Sequence, residues 1–440
     1  MYINHYKNNL TIALPIILSM AGQSVVQMVD SIMVGRLGAA PLAAVSFAGA
    51  IIMNIMVFGI GLSISLTPVA GQFWARGEYR IVAGYFQNSI IVNLVSSAFL
   101  VMILFAIIPL LSLMGQPPEV VALSYNYYIL VSISVIPMML FLTSKQFMEG
   151  IGNTKIAMYI TIIANLVNIV LNYILIYGKL GAPQMGATGA GIATLISRLI
   201  MPVIFAAILL KNIRYRRFLN MFGKKLFSLK KQLELIKIGV PISGQMAVEF
   251  FSLSFITVMM GWIGTNALAA NQIALTMINF TFMISNGIAG ASTILVSHAI
   301  GMRDMKTARK NGFAGMHISL VFMGIFALIF MFFGEDISSV FTSDKDVIKI
   351  AGKIFIVVAL FELFDGLQVT ALGALRGLTD VKRPMLIAVF AYLFVSLPVA
   401  YIFGFVFNLG EAGLMSGFAF GLLVASVLFI IRFNYKTHSV

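Results

Sequence analysis

Cysteine is absent from all 440 residues, tryptophan occurs twice, and only 10% of the chain is charged. Without cysteine there is no disulfide and no thiolate metal site. The shortage of charge excludes more, because a soluble protein of this size carries about 25% charged residues to cover its surface. Apolar residues take their place, at 60% of the chain and a mean hydropathy of +1.00. Long apolar runs recur along the whole sequence, each near the roughly 20 residues that cross ~30 Å of hydrocarbon. The first, from Leu10, is longer than a signal-peptide core and ends in no small-residue cleavage pattern, so it reads as a membrane helix.

Spans are predicted near residues 10–34, 42–70, 83–111, 120–144, 156–177, 188–210, 235–260, 267–298, 312–333, 347–374, 384–407 and 413–432. Lipid offers the backbone no hydrogen-bond partner, and runs this long are helices rather than barrel strands. A repeat organises them. A shift of 226 residues places Pro15 on Pro241, Gly35 on Gly261, Gly38 on Gly264, Gly61 on Gly287 and Glu78 on Asp304. Six helices per unit give both units the same orientation in the bilayer. The expected fold is all-α, a polytopic integral membrane protein with twelve transmembrane helices in two pseudo-symmetric six-helix lobes around a central cavity. The lobes are expected at 1–212 and 235–440, joined by a basic cytoplasmic linker at 213–234.

Lys and Arg collect in alternate loops, which by the positive-inside rule puts both termini and the linker in the cytoplasm. The opposite side holds only Arg36, Lys179, Lys345, Lys349 and Lys353, with Arg198 inside the sixth span. The net charge of +14 therefore calls for no nucleic acid. Topology and anionic lipid account for it.

A carboxylate within a membrane is costly, and four acids fall inside predicted spans: Asp30, Glu249, Glu362 and Asp365. No basic residue lies beside Asp30 or Glu249 in its own helix, so neutralisation calls for a proton, a metal cation or a cationic substrate. Arg198 and Lys353 remain possible structural partners for one of the four. Polar neighbours recur at helical spacing: Ser19, Gln23, Gln27 and Asp30; Asn165, Asn168 and Asn172; Gln245, Glu249 and Ser252; Gln272, Thr276, Asn279 and Asn286; Phe361, Glu362, Asp365 and Gln368. Single amides in membrane helices often bind helices together, whereas aligned stripes suit a site. Their oxygens match a hard cation such as Na⁺, and a carboxylate alone suffices for a proton. The repeat is unequal here, since Gln23 falls on Glu249 and Asp30 on Ile256. Two unlike ionic sites are expected, one with Asp30, Asn168 and Asn172, and one with Glu249 and Asp365.

Several segments, in this order and spacing, carry a resemblance to a known family. They are Pro15 through Asp30-Ser31-Ile32-Met33-Val34-Gly35, Gly239-Val240-Pro241-Ile242 leading to Glu249, Leu268-Ala269-Ala270-Asn271-Gln272, and Asp365-Gly366-Leu367-Gln368 followed by Gly373-Ala374-Leu375-Arg376-Gly377. Across essentially its whole length the chain resembles the multidrug and toxic compound extrusion (MATE) transporters, within them the NorM-like branch. The resemblance implies antiport: organic cations, drugs and dyes among them, leave in exchange for Na⁺ or H⁺. It implies a coupling-cation site at Glu249 and Asp365, with Phe361 and Gln272 beside them. In the first lobe it implies a cation or substrate site at Asp30, Asn168 and Asn172, with Gln23 and Gln27 on the same stripe.

Some Na⁺-coupled relatives carry Tyr where this chain has Phe361, which keeps the π face and loses the hydroxyl. Others, proton-coupled, have an acid in place of the second amide, and Asn172 is not acidic. Na⁺ is favoured over H⁺. Pro15 and Pro241, near the cytoplasmic starts of the first and seventh spans, permit bending. No cofactor is expected beyond the coupling ion, and the partners are small organic cations and the lipid bilayer, for a monomer in the plasma membrane. If the chain is bacterial, that is the inner membrane. Rival readings are another twelve-helix exporter, a lipid-linked flippase, which should show a basic cavity, a channel, and a membrane-embedded enzyme. An enzyme is disfavoured because His5, His298, His317 and His438 show no paired metal spacing.

Overall fold

The computed structural model describes residues 2–438, and among them there is no strand. Eleven helices are long and apolar enough to cross a membrane: α1 (Ile3–Gly35), α2 (Ala39–Ala75), α3 (Tyr79–Leu113), α4 (Pro118–Gly150), α5 (Lys155–Tyr177), α6 (Gly186–Lys211), α7 (Leu229–Ile263), α8 (Thr265–Gly301), α9 (Met305–Phe341), α11 (Lys382–Val406) and α12 (Gly410–His438). The remaining long helix, α10 (Lys345–Gly377), carries Glu362 and Asp365 and is buried over most of its length. A helix enclosed by other helices presents little surface to lipid and needs no uniform apolar coat. Twelve long helices were expected, and among the described residues twelve long helices form.

Serines and prolines interrupt several of them. The helical pattern breaks at Ser65 in α2 and at Ser134 in α4. Pro68 and Pro137 follow closely, and each lacks the N–H that the carbonyl four residues earlier would accept, at Ile64 and Ile133. The serine hydroxyls bond back to the turn before, Ser65 Oγ to the Leu62 carbonyl at 2.7 Å and Ser134 Oγ to that of Val131 at 2.6 Å. In α11 two stretches, Phe390–Ser396 and Ile402–Val406, wind as π-helix. The basic segment at 213–234 contains a short helix, Ile213–Asn220, and the first turn of α7.

Contacts group the residues into two compact units. One is Leu18–Ser243; the other joins the residues up to Ile17 with those from Gly244 onward. The division lies inside helices α1 and α7, not at the linker, and both crossings fall two residues after the repeat-related prolines Pro15 and Pro241. In the first unit α5 packs on α6, and α4 on α2 and α6. The first half of α7 is held there by Ser243 Oγ donating to the Phe58 carbonyl at 2.7 Å and by Tyr85 O–H donating to Glu234 at 2.6 Å.

In the second unit α10 is the hub, packed on α8, α9 and α12. The first half of α1 docks there. His5 Nδ1 lies 2.6 Å from Asn311 Oδ1, Tyr6 Oη lies 3.1 Å from His317 Nδ1, and Ser292 Oγ donates to Asn9 Oδ1 at 3.3 Å. Two repeat-related glycines seat the exchanged halves. A Cβ on Gly61 would collide with Ser243, and one on Gly287 with Ile17.

Candidate functional site

In the Leu18–Ser243 unit, α1 and α5 meet along a polar seam. Ser19 Oγ donates to Thr161 Oγ1 at 3.1 Å, and Gly22 lets Asn165 approach closely. Farther along, Asn172 Nδ2 donates to Asp30 Oδ1 and also to Asn168 Oδ1 at 3.1 Å. Asn168 Nδ2 in turn reaches Ser197 Oγ of α6 at 3.4 Å. Asp30, Asn168 and Asn172, grouped in the expected first-lobe site, are thus brought together. Arg198 and Tyr127 are near enough to act electrostatically on Asp30. The Arg198 guanidinium is anchored on Ser134, Nη1 to Oγ at 2.9 Å, where the break in α4 presents that hydroxyl. The lone carboxylate is therefore partnered by an amide and lies close to a cation. Gln23 is half-buried and Gln27 exposed, and neither joins this hydrogen-bonded cluster.

In the other unit, Gln245 Nε2 donates to Glu249 Oε2 at 2.8 Å, and Arg376 Nη2 donates to Gln245 Oε1 at 2.7 Å. A guanidinium thus reaches Glu249 through an amide, where inspection of α7 alone suggested no basic neighbour. Asp365, Gln368 and Tyr392 also lie within reach of Glu249. One turn away, Glu362 Oε1 accepts from Thr281 Oγ1 at 3.0 Å. Glu362, Asp365 and Gln368 are fully buried or nearly so, at 0%, 3% and 0% exposure.

Several of their polar atoms make no hydrogen bond of good geometry: Glu362 Oε2, Asp365 Oδ2, and both amide atoms of Gln368 and the Tyr392 hydroxyl, which lie close to Glu249 without aligning on it. Buried polar atoms are normally paired, and a cluster of orphans around two carboxylates is a place where a ligand adds what the protein leaves out. Among the described residues no three His, Cys, Asp or Glu side chains converge as a preformed metal-ligand set. Any cation here relies on carboxylate oxygens supplemented by neutral ones, such as the Gln368 carbonyl oxygen and the Tyr392 hydroxyl.

Phe361 is buried with its ring 6.0 Å from that of Phe418, edge to face, and Phe418 stacks on Tyr392 at 5.9 Å. Gln272 lies on the exposed side of α8. Pro15 and Pro241 are both buried inside their helices.

Two members of this cluster escape the stripes read from sequence. Arg376 stands at the very end of α10, yet Asp365, Gln368, Leu372 and Arg376 follow one helical face. Tyr392 has no local signal, because π-turns shift its register. The Tyr392 carbonyl, which takes the Leu397 N–H at the end of the π-turn, also accepts from Ser252 Oγ at 3.3 Å, tying α11 to α7. Glu149, the last residue but one of α4, is buried there, 3.8 Å from Lys145.

The MatE family model matches residues 15–174 and again 241–402, starting at the two repeat-related prolines. A probable multidrug resistance protein NorM of Mannheimia succiniciproducens is 31% identical over 97% of this chain and 93% of its own length. One from Rhodopseudomonas palustris is 33% identical over 97% and 91%. Among solved structures, a MATE transporter of Vibrio cholerae superposes with a TM-score of 0.91 at 20% identity, covering 100% of this chain and 98% of that one. A MOP superfamily transporter from Pyrococcus furiosus gives 0.90 at 20%, over 99% and 96%. With both halves matched and relatives aligned end to end, the chain belongs to the MATE family of membrane transporters, in its NorM-like branch.

Proposed function

We propose that this transporter is a multidrug exporter that moves organic cations outward by alternating access in exchange for a coupling cation, Na⁺ ahead of H⁺. It works as a monomer in the plasma membrane, the inner membrane of a bacterium, with both termini in the cytoplasm. The observation that carries the reading is the cluster of orphaned oxygens on Glu362, Asp365, Gln368 and Tyr392 beside Glu249. Acidic and neutral oxygens together suit a hard monovalent cation, and a proton would need only one of the carboxylates. The relatives' names as multidrug resistance proteins support drugs as cargo. Asp30 with Asn168 and Asn172 makes a second polar locus, for the coupling cation or for cationic substrate.

Coupling follows from differential binding, since a cation moves a two-state equilibrium only by binding one state more tightly. A carboxylate shared between cation and organic cargo makes the two compete. Ethidium transport in everted vesicles under an imposed Na⁺ or H⁺ gradient tests this. Transport that follows the Na⁺ gradient is expected. A response to H⁺ alone reassigns the ion, and a response to neither ends the antiporter reading.

A further inference from the structure

At its cytoplasmic end α6 changes from apolar to basic within one turn. Val203, Ile204, Ala207 and Ile208 line one face, and with Lys211 and Asn212 they border a groove of about 570 Å³. The sides are hydrocarbon: Val203 is 66% exposed, as is proper for a residue facing lipid. Asn212 ends the groove. Its backbone leaves the helix in an extended conformation, and its side chain accepts the N–H of Arg214 at 2.9 Å, starting the helix Ile213–Asn220 in a new direction. That turn makes the surface concave where apolar residues give way to Lys211 and Arg214.

The charge at this junction has no internal answer. From Gly150 to Leu233 the sequence contains no acidic residue. Among the described residues the side-chain ion pairs are Lys145–Glu149 and Arg432–Asp380, and neither involves Lys211, Arg214, Arg216 or Arg217. Aromatic rings take two guanidiniums instead: Arg217 sits 4.1 Å from the Tyr79 ring centroid and 5.6 Å from that of Trp74, and Arg214 lies at the outer edge of the same Trp74 ring, 6.0 Å from its centroid. This stacking holds the short helix in place, while Lys211, Arg214 and Arg216 stay exposed. An apolar trough closed at one end by exposed, unneutralised cations at a membrane–water boundary has the chemistry of one kind of molecule.

We propose that this groove binds an anionic phospholipid, an acyl chain along Val203, Ile204, Ala207 and Ile208 and the phosphate at Lys211 and Arg214. Ordinary lipid-facing helix surfaces take any lipid. This one discriminates by headgroup charge, because a net-neutral phosphocholine brings a cation of its own to a site already basic.

The test uses the full-length purified protein in detergent, incubated with equal phosphatidylglycerol and phosphatidylcholine of identical acyl chains. Native mass spectrometry reads the retained lipid. Phosphatidylglycerol is expected to be retained about tenfold over phosphatidylcholine, equivalent to about 1.4 kcal/mol. The double variant K211Q/R214Q is expected to lose that preference. Ala207→Trp fills the trough without touching charge and is expected to lower retention of both lipids. A monodisperse elution profile and an unchanged thermal midpoint establish that each variant is folded. No preference in the native chain, or a preference that survives K211Q/R214Q, overturns the proposal. Unchanged retention in Ala207→Trp overturns the acyl-chain half of it.

Discussion

The first unit's Asp30 cluster and the second unit's Glu249–Asp365 cluster are built from repeat-related helices, yet they resolve buried charge differently. Asp30 is a single carboxylate bonded by Asn172, with Arg198 near and Asn168 relaying to Ser197. The second cluster sets Glu362 near Asp365 and Asp365 near Glu249, with one guanidinium that reaches Glu249 alone through Gln245, and it leaves oxygens without donors. A partnered buried ion contributes to architecture, whereas unpartnered acids in low dielectric draw a cation. The two repeats share a scaffold and differ in how their buried carboxylates are paired.

The strongest way to break that comparison is to neutralise each cluster in turn. Glu249→Gln or Asp365→Asn is expected to lower gradient-driven ethidium transport about tenfold or more, with the residual rate no longer following the Na⁺ or H⁺ gradient. Asp30→Asn is expected to lower the maximal rate while what remains still follows the gradient. Vesicle transport at several gradient sizes checks both, and residual rates that respond identically would make the two lobes equivalent.

Seating of the exchanged half-helices is a matched pair of tests. Gly61→Leu and Gly287→Leu should each destabilise by about 1–3 kcal/mol through overpacking, to similar extents, read as the thermal midpoint of the purified protein. A large effect at one and none at the other would show that the pseudo-symmetry is only geometric.

Tyr392→Phe removes a hydroxyl and keeps the ring that stacks on Phe418. A several-fold weaker apparent affinity for the coupling cation, with folding intact, is expected if the phenol helps hold it. Transport measured against cation concentration gives the answer.

The smallest difference lies in a helix cap. Asp304 accepts from Thr307 N–H at 2.9 Å and Thr307 Oγ1 at 2.7 Å, whereas its repeat-mate Glu78 makes no such bond. Asp304→Ala should cost about 1 kcal/mol and Glu78→Ala close to nothing. The Thr307 hydroxyl and N–H hold the Asp304 carboxyl below its usual range. Its contribution is thus complete above the unfolded aspartate value, about 3.9, and fades as pH falls through the lower folded one. A pH series of thermal midpoints for the two variants checks the sign.

Much of this was legible beforehand, and the misses have physical causes. Apolar runs announced every long helix but not the full reach of α1, which begins at Ile3 rather than near residue 10. His5, Tyr6 and Asn9 read as loop because their partners, Asn311 and His317, are some three hundred residues away. Intramembrane acids marked both clusters, since their cost shows in one dimension. Helical stripes named a face without its neighbours, so Gln27 and Gln272 were grouped with residues from which the structure separates them. Tyr392 was hidden by π-turns that break the 3.6-residue count.

The exchange of half-helices at Ile17 and Ser243 governs the order in which the molecule can be assembled. As the ribosome delivers the chain, residues 3–17 insert long before Gly287, Ser292 and Asn311 exist to receive them. Their polar side chains wait for most of synthesis. The seat at Gly61 likewise stays open until residues 229–243 emerge, past the whole of the first repeat. Neither repeat is a self-sufficient folding unit, and the first lobe is completed only when the second has begun.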